Sequence, residues 1–346
     1  MNKKLIAIML SVALFVVTTL PVYGEDLKTS KFFLKNIVIN GVEISNYNLL
    51  YPFVLYDDIT YMPMTAEIGE ICGFSAEFNT QNNVLKLRET TALRSNLLKQ
   101  HPQNNGDDLT VTLLSDAIVL KMNNQSASFE MSYPLELDPL PMILINGIPY
   151  LPLRVLSSEA GLNWNLYYDP YFGICLSTKD GIPASTFFPK EQADYNRRLQ
   201  SYILSNNEDI RPTLALDYVF LFLRAAKVNG LDIKLLMAIA QIESNFRYDA
   251  VSRSGARGIM QIMPKTGEYI GLTPDQLFDP KLNILYGAAY FKNQLSRFGD
   301  NLGLALSAYA MGSGAVSRGG YSRAYVEKIH GSSAKVNAYL NNTSTR

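Results

Sequence analysis

Two spacings of apolar residues divide the chain. Up to about residue 178 the apolar positions fall in short runs separated by turn residues. KNIVIN (35–40), NNVLKL (82–87), DAIVLKM (116–122) and FGICLS (172–177) read as strands. Two longer stretches run parallel: ITYMPMTAEIGEICG (59–73) and IPYLPLRVLSSEAG (148–161). Each predicts a proline-marked turn, a short helix ending at Gly73 or Gly161, and a closing strand. The expected unit is a small module present twice, over about 36–88 and 116–178 within a domain spanning 31–178. From about 191 to 340 the spacing changes to the helical period, as in EQADYNRRLQSYILSNN, LALDYVFLFLRAAKVNG and DIKLLMAIAQIES, with no strand pattern. The Gly- and Pro-containing KDGIPASTFFPK marks the junction, so 179–212 is expected to hold a linker and a helix, and 213–340 a helical domain. The predicted class is α+β multidomain: an N-terminal α/β duplicated module followed by a C-terminal all-α domain.

The first residues follow neither pattern. MNKK precedes the apolar LIAIMLSVALFVVTTL and then PVYGE, which reads as a secretory signal peptide over 1–24, cut near Gly24. The expected destination is outside the cytoplasm, secreted and associated with the cell wall. No later run is long enough to span a bilayer, so no transmembrane segment is expected after cleavage.

Composition narrows the function. Of 346 residues, 47% are hydrophobic and 18% charged, which is a globular balance. The formal net charge of +0 lacks the basic excess that phosphate binding requires, so nucleic acid is not an expected partner. Cys72 and Cys175 are too few for a disulfide framework and read as buried thiols. His101 and His330 are isolated from each other, and no cluster of metal ligands appears; neither metal nor cofactor is expected.

The chemistry concentrates in the helical half. IKLLMAIAQI runs directly into Glu243. With Asp232 as N-cap, Leu236, Ile239 and Ala240 lie on the face of Glu243. The carboxylate then sits among apolar neighbours at a helix C-terminus, and desolvation and the helix dipole both raise its pKa. A carboxyl still protonated near neutrality suits a general acid; a Glu snorkelling into solvent is the structural alternative. Downstream, SGARGIMQIMP offers small residues for close approach, the Gln261 amide for sugar hydroxyl or acetamido groups, and Met263 as an apolar wall. ALSAYAMGSGAV places Tyr309 before a turn, and RAYVEKI supplies Tyr325.

Two resemblances follow from these residues. ILINGIPYLPLRVLSSEAGLNWN, with Tyr150, Pro152, Leu153, Arg154 and Gly161, resembles the copper amine oxidase N-terminal-like domain; the first copy has Thr65 where Arg is usual. That resemblance implies a non-catalytic accessory unit, contacting the cell wall or a protein partner, with no copper. Glu243-Ser244, the segment ending at Ser252, GARGIMQ ending at Gln261, and the following IMP together resemble the soluble lytic transglycosylase domain. It implies a lysozyme-like fold acting on peptidoglycan glycan strands, with Glu243 as the single catalytic acid/base. Ser252, Gln261 and Met263 would line the saccharide groove, and Tyr309 and Tyr325 would be its two tyrosines. The implied reaction cleaves the MurNAc-β-1,4-GlcNAc bond and closes a 1,6-anhydro ring, for which one carboxylate suffices. The chain departs from the family at Ala310, where Asn usually follows the first tyrosine. A hydrolase of the same fold and a catalytically weak peptidoglycan-binding or assembly protein are the alternatives.

Overall fold

The structure is a computed structural model that describes residues 28–81, 84–90, 106–114, 118–124, 127–133, 142–157 and 162–341. The leader at 1–24, His101 and Gly161 lie outside the described residues. The molecule is α+β and multidomain, with a β-rich N-terminal region and a helical C-terminal one.

In the N-terminal region one order of elements occurs twice. The first series is β1 (Lys28–Phe32), β2 (Asn36–Ile39), β3 (Val42–Ile44), β4 (Val54–Tyr56), β5 (Ile59–Pro63), α1 (Ala66–Cys72), β6 (Phe74–Asn79) and β7 (Val84–Glu89). The second is β8 (Leu109–Leu114), β9 (Ile118–Asn124), β10 (Ala127–Tyr133), β11 (Met142–Ile145), β12 (Ile148–Pro152), α2 (Leu153–Leu156), β13 (Asn165–Asp169) and β14 (Gly173–Ser177). Six of these strands close a barrel in the order β1-β4-β5-β12-β11-β8. The two proline-marked strands are neighbours in it, with Leu151 opposite Met62 and Pro152 opposite Tyr61.

The remaining strands trade places. The last hairpin of the first series, β6–β7, joins β9 and β10 through a parallel β7–β9 pairing. The last hairpin of the second, β13–β14, joins β2 and β3 through a parallel β14–β2 pairing. Each series therefore covers an edge that the other would leave open to stray pairing. The short helix α1 begins at Thr65, whose side chain accepts from the Ile68 amide, and ends at Gly73 in the left-handed region at φ 83°. Ile37, Ile39, Met62, Ile68, Leu85, Leu151 and Leu176 form the shared core. Both cysteines are buried and free; burial pushes the Cys175 thiol up to about 11, and raises that of Cys72 as well.

A single turn of 3-10 helix at Ala184–Phe187 leads into the helices: α3 (Lys190–Asn206), α4 (Pro212–Asn229), α5 (Ile233–Ser244), α6 (Pro264–Tyr269), α7 (Pro280–Arg297), α8 (Leu302–Met311), α9 (Ser313–Ser317) and α10 (Arg323–Asn341). Between residues 245 and 263 extended pairing is limited to isolated bridges, Val251 with Arg257 and Arg257 with Ile262. The core is built around α5, whose Leu236, Met237, Ala238, Ile239 and Ala240 are fully buried. Around it, α3 contributes Leu199, Tyr202 and Ile203, and α4 contributes Tyr218, Val219 and Phe222. Among the described residues no helix is long and apolar enough to cross a membrane.

The two regions touch through α4 and α7. The Arg224 guanidinium lies 4.1 Å from the centre of the Tyr47 ring, a cation–π contact. Lys281 Nζ, in the first turn of α7, donates to the Gly106 carbonyl and to Asp107, both at 2.9 Å.

Candidate active site

Asp232 starts α5 as its sequence predicts, its carboxylate accepting from the Lys234 amide at 2.9 Å. Twelve residues later the helix ends abruptly. Asn245 and Phe246 both take left-handed backbone, at φ 54° and 63°. Two such residues in succession, one aromatic and fully buried, need outside support. It comes from the end of α3: Asn207 Nδ2 donates to the Asn245 carbonyl at 2.9 Å, and Asn245 Nδ2 donates to the Asn206 carbonyl. The Phe246 ring is wedged edge-on between Tyr202 and Phe222. This clamp fixes the last turn of α5, which carries Glu243.

Glu243 is half-buried on the side of Leu236, Ile239 and Ala240. Its Oε1 accepts a hydrogen bond from the Tyr325 hydroxyl, delivered by α10. Burial holds the carboxyl above its usual range; the Tyr325 bond, which favours the ionised form, offsets part of that rise. Burial and the neighbouring carboxylate push the Tyr325 phenol far above its own range, so it remains a donor. Tyr309, on α8, donates from its hydroxyl to the Met260 carbonyl at 2.6 Å, and burial and the Glu243 charge push that phenol up too. Glu243, Tyr325 and Tyr309 thus form one half-buried cluster. Ala310, next in line, is exposed.

The loop that faces this cluster is tied down by its own side chains. Ser244 Oγ donates to the Ile259 carbonyl at 2.7 Å. Ser252 is exposed, and its Oγ accepts from the Ala256 amide at 3.0 Å. Gln261, at φ 51°, donates from Nε2 to the carbonyls of Gly258 (2.9 Å) and Ala250 (3.1 Å). Those two bonds use both amide hydrogens and leave Oε1 as the acceptor Gln261 offers a ligand. Met263 is 41% exposed and points toward a groove shared with Tyr269, Tyr286 and Tyr290. Of the six residues singled out in the sequence, three meet at the carboxyl, two brace the loop, and Met263 stands further along.

Two further supports brace this loop, Asn283 with no sequence signal of its own and Gly258 within the small-residue run read as suited to close approach. Asn283, fully buried on α7, accepts from the Met260 amide at 2.6 Å and donates to the carbonyls of Arg257 (3.0 Å) and Leu277 (2.8 Å). Gly258, at φ 78°, lies so close that a Cβ would sit 2.2 Å from the Leu277 carbonyl oxygen. A polar residue on the apolar face of a helix hints at such a role, but spacing alone does not say what it bonds.

Nearby acids are differently placed. Asp249 pairs with Arg247 at 3.2 Å on the surface, and Glu268 is exposed on α6. Among the described residues no group of three or more His, Cys, Asp or Glu could hold a metal ion. The arrangement offers one desolvated carboxyl, a phenol bonded to it, and a rigid loop opposite.

Residues 220–330 match the family model of the transglycosylase SLT domain, from the middle of α4 into the first half of α10. The transglycosylase of Enterobacteria phage PRD1 is 36% identical over 100 residues, 29% of this chain and 37% of that protein. Membrane-bound lytic murein transglycosylase F 1 of Alkalilimnicola ehrlichii is 38% identical over 99 residues, 27% of this chain and 20% of that protein. Soluble lytic murein transglycosylase of Salmonella typhimurium is 36% identical over 111 residues, 29% of this chain and 17% of that protein. The chain therefore spans little more than a third of the first of these relatives and about a fifth of the others. Among solved structures, an inactive mutant of the lytic transglycosylase Slt from Pseudomonas aeruginosa superposes with a TM-score of 0.33 at 26% identity, over 46% of this chain and 32% of that one.

Proposed function

We propose that this chain is an exported peptidoglycan lytic transglycosylase in which Glu243 acts first as acid and then as base. The observation that carries the reading is the half-buried Glu243 carboxyl, raised by desolvation and bonded to Tyr325, inside a segment that matches the transglycosylase SLT domain. Protonated Glu243 gives its proton to the glycosidic oxygen as the C1–O bond breaks. The resulting carboxylate takes the proton of the muramoyl C6 hydroxyl, whose oxygen closes onto C1. The two transfers leave Glu243 protonated again and consume no water, so the second carboxylate of ordinary glycosidases is not required. Tyr325 steadies the carboxylate between the two transfers, and Tyr309 holds the Met260 backbone beside it. Ser252, Gln261 and Met263 belong to the proposed saccharide groove, Gln261 through its free acceptor and Met263 as apolar wall.

For the N-terminal β region we propose an accessory role of the copper amine oxidase N-terminal-like kind, contacting the wall or a protein partner. The doubled order of elements and the Tyr150-Leu151-Pro152-Leu153-Arg154 run from β12 into α2 support it. The leader-like residues 1–24 support the export part of this reading.

The test is digestion of purified peptidoglycan with mass analysis of the sugar ends. Anhydro ends, one water lighter than reducing ends, are expected; reducing ends would make the protein a hydrolase instead. Glu243→Gln is expected to cut activity by about 100- to 10,000-fold with an unchanged melting temperature. Wild-type turnover by this variant removes the assigned acid.

A further inference from the structure

Two positions before Glu243, Gln241 is the node of a hydrogen-bond network that joins three helices. Its Oε1 accepts from the Tyr202 hydroxyl of α3 at 2.7 Å and from the Ser332 hydroxyl of α10. A carbonyl oxygen has two lone pairs, so it can serve both hydroxyls at once. Its Nε2 donates to Asn206 Oδ1, at the end of α3, at 2.5 Å. Tyr202 and Ser332 are buried, and Gln241 is half-buried. Ser332 follows Tyr325 by seven residues, two helical turns, so both lie on one stripe of α10. The fully buried Ile329 and Val336 complete that stripe. Two half-buried polar contacts therefore tie α10 to α5, Tyr325 to Glu243 and Ser332 to Gln241. A third, from Lys234 Nζ to Asn337 Oδ1 at 3.2 Å, is exposed near the start of α5. Tyr325 is the third residue of its helix, in the turn with the fewest internal hydrogen bonds, so its place depends on contacts further along. Apolar burial by Ile329 and Val336 is non-directional and tolerates a slip that a hydrogen bond does not.

We propose that Gln241 and Ser332 are positioning residues: their bond sets the register of α10 on α5 and so keeps the Tyr325 hydroxyl on the Glu243 carboxyl. The proposal rests on the function proposed above, in which that contact steadies the acid. Two helices cross-linked at neighbouring points of one stripe cannot slide without breaking both links. The same network, through Asn206, reaches the Asn245 side chain in the turn that follows Glu243. Gln241 thus holds the acid's own turn on one side and the donor's helix on the other. A network that only satisfied buried polar groups would stabilise the fold and leave the carboxyl's titration alone. Few other groups act on that titration. The phenols of Tyr325 from α10 and Tyr309 from α8 are the titratable neighbours of Glu243, and among the described residues no cation or second carboxylate shifts it. The Tyr325 bond favours the ionised carboxyl, so loosening that bond raises the Glu243 pKa.

The experiment reads the carboxyl without substrate. Carbon NMR of protein labelled at the glutamate side-chain carboxyls follows the titration in wild type, Ser332→Ala, Tyr325→Phe and the double variant, with Glu243→Gln assigning the signal. Ser332→Ala is expected to raise the Glu243 pKa by about 0.3 or more in the wild-type background, and by less than about 0.1 beside Tyr325→Phe. Ser332→Thr keeps the hydroxyl and should titrate as wild type. On peptidoglycan, Ser332→Ala should lower kcat about threefold or more with KM within about twofold. A Ser332→Ala protein that melts earlier but keeps the wild-type titration overturns the proposal. So does a shift of equal size with and without Tyr325, which would mean that Ser332 acts on the carboxyl by another route. Should wild type leave peptidoglycan uncut while Ser332→Ala still moves the carboxyl only when Tyr325 is present, the positioning stands and the cleavage reading falls.

Discussion

At the scale of single residues, the Glu243 carboxyl is set by two opposed influences. Desolvation favours its neutral form; the Tyr325 hydroxyl, donating to Oε1, favours its charged form. The proposed acid must be protonated to act, so the alkaline limb of the pH–activity profile reports that balance. Tyr325→Phe removes the donor and leaves burial unopposed. The Glu243 pKa then rises further, and the alkaline limb is expected to move to higher pH. Activity at the optimum falls as well, because the carboxylate formed after the first transfer loses a bond to a charged acceptor, worth about 1.5–3 kcal/mol. A pH–rate series on peptidoglycan for wild type and Tyr325→Phe checks both. A limb that stays in place, or moves to lower pH, would mean that Tyr325 does not control this carboxyl.

At the scale of elements, the site depends on how α5 stops. Asn206 and Asn207 close α3, yet their bonds reach the left-handed turn after Glu243. Asn207 is buried, and its side chain serves both the Asn245 carbonyl and the Asp209 amide at 3.2 Å. Asn207→Ala strands these groups at a cost of about 1–3 kcal/mol. It is expected to lower both the denaturation midpoint and kcat, with KM nearly constant, because the turn it releases carries the acid and not the outlying groove. Loss of KM alone would place the effect elsewhere. How much of this was legible in the sequence follows from range. Asp232, the apolar face of α5 and the intrusion of Glu243 are local signals, spaced by helical geometry, and each is present as read. Ser252 and Gln261 stood out as site residues by type, but their type does not reveal that turn geometry claims most of their hydrogen bonds. Asn207 and Asn283 act across tens of residues, where no spacing rule applies.

At the scale of the whole molecule, the same limit governs the β region. The parallel between 59–73 and 148–161 was visible, and β5 and β12 indeed lie side by side. The exchange of end hairpins between the two series was not, because strand pairing partners leave no periodicity in the chain. The contact between regions is likewise a product of folding. Asp217, on α4, is half-buried beside the N-terminal region; burial raises its carboxyl, while Lys35 and Lys31, from around β1, draw it back. With the folded pKa above the unfolded one, ionising Asp217 weakens the fold, so its penalty is absent at low pH and appears as pH rises through the folded pKa. Lys35 reduces that penalty only while Asp217 is charged. A double-mutant cycle of Lys35→Ala and Asp217→Asn should therefore give a favourable coupling at pH 7, below about 1 kcal/mol for a partly solvated pair, and none under acid conditions. The cycle is needed because Lys35 also donates to the Tyr168 hydroxyl and lies 5.0 Å from the centre of that ring, contacts the single variant would lose at every pH. Those losses cancel in the cycle, and only the charge pair remains. Denaturation midpoints of the four proteins at the two pH values supply the measurement. A coupling that persists in acid would show that the two regions are joined here by packing and not by charge.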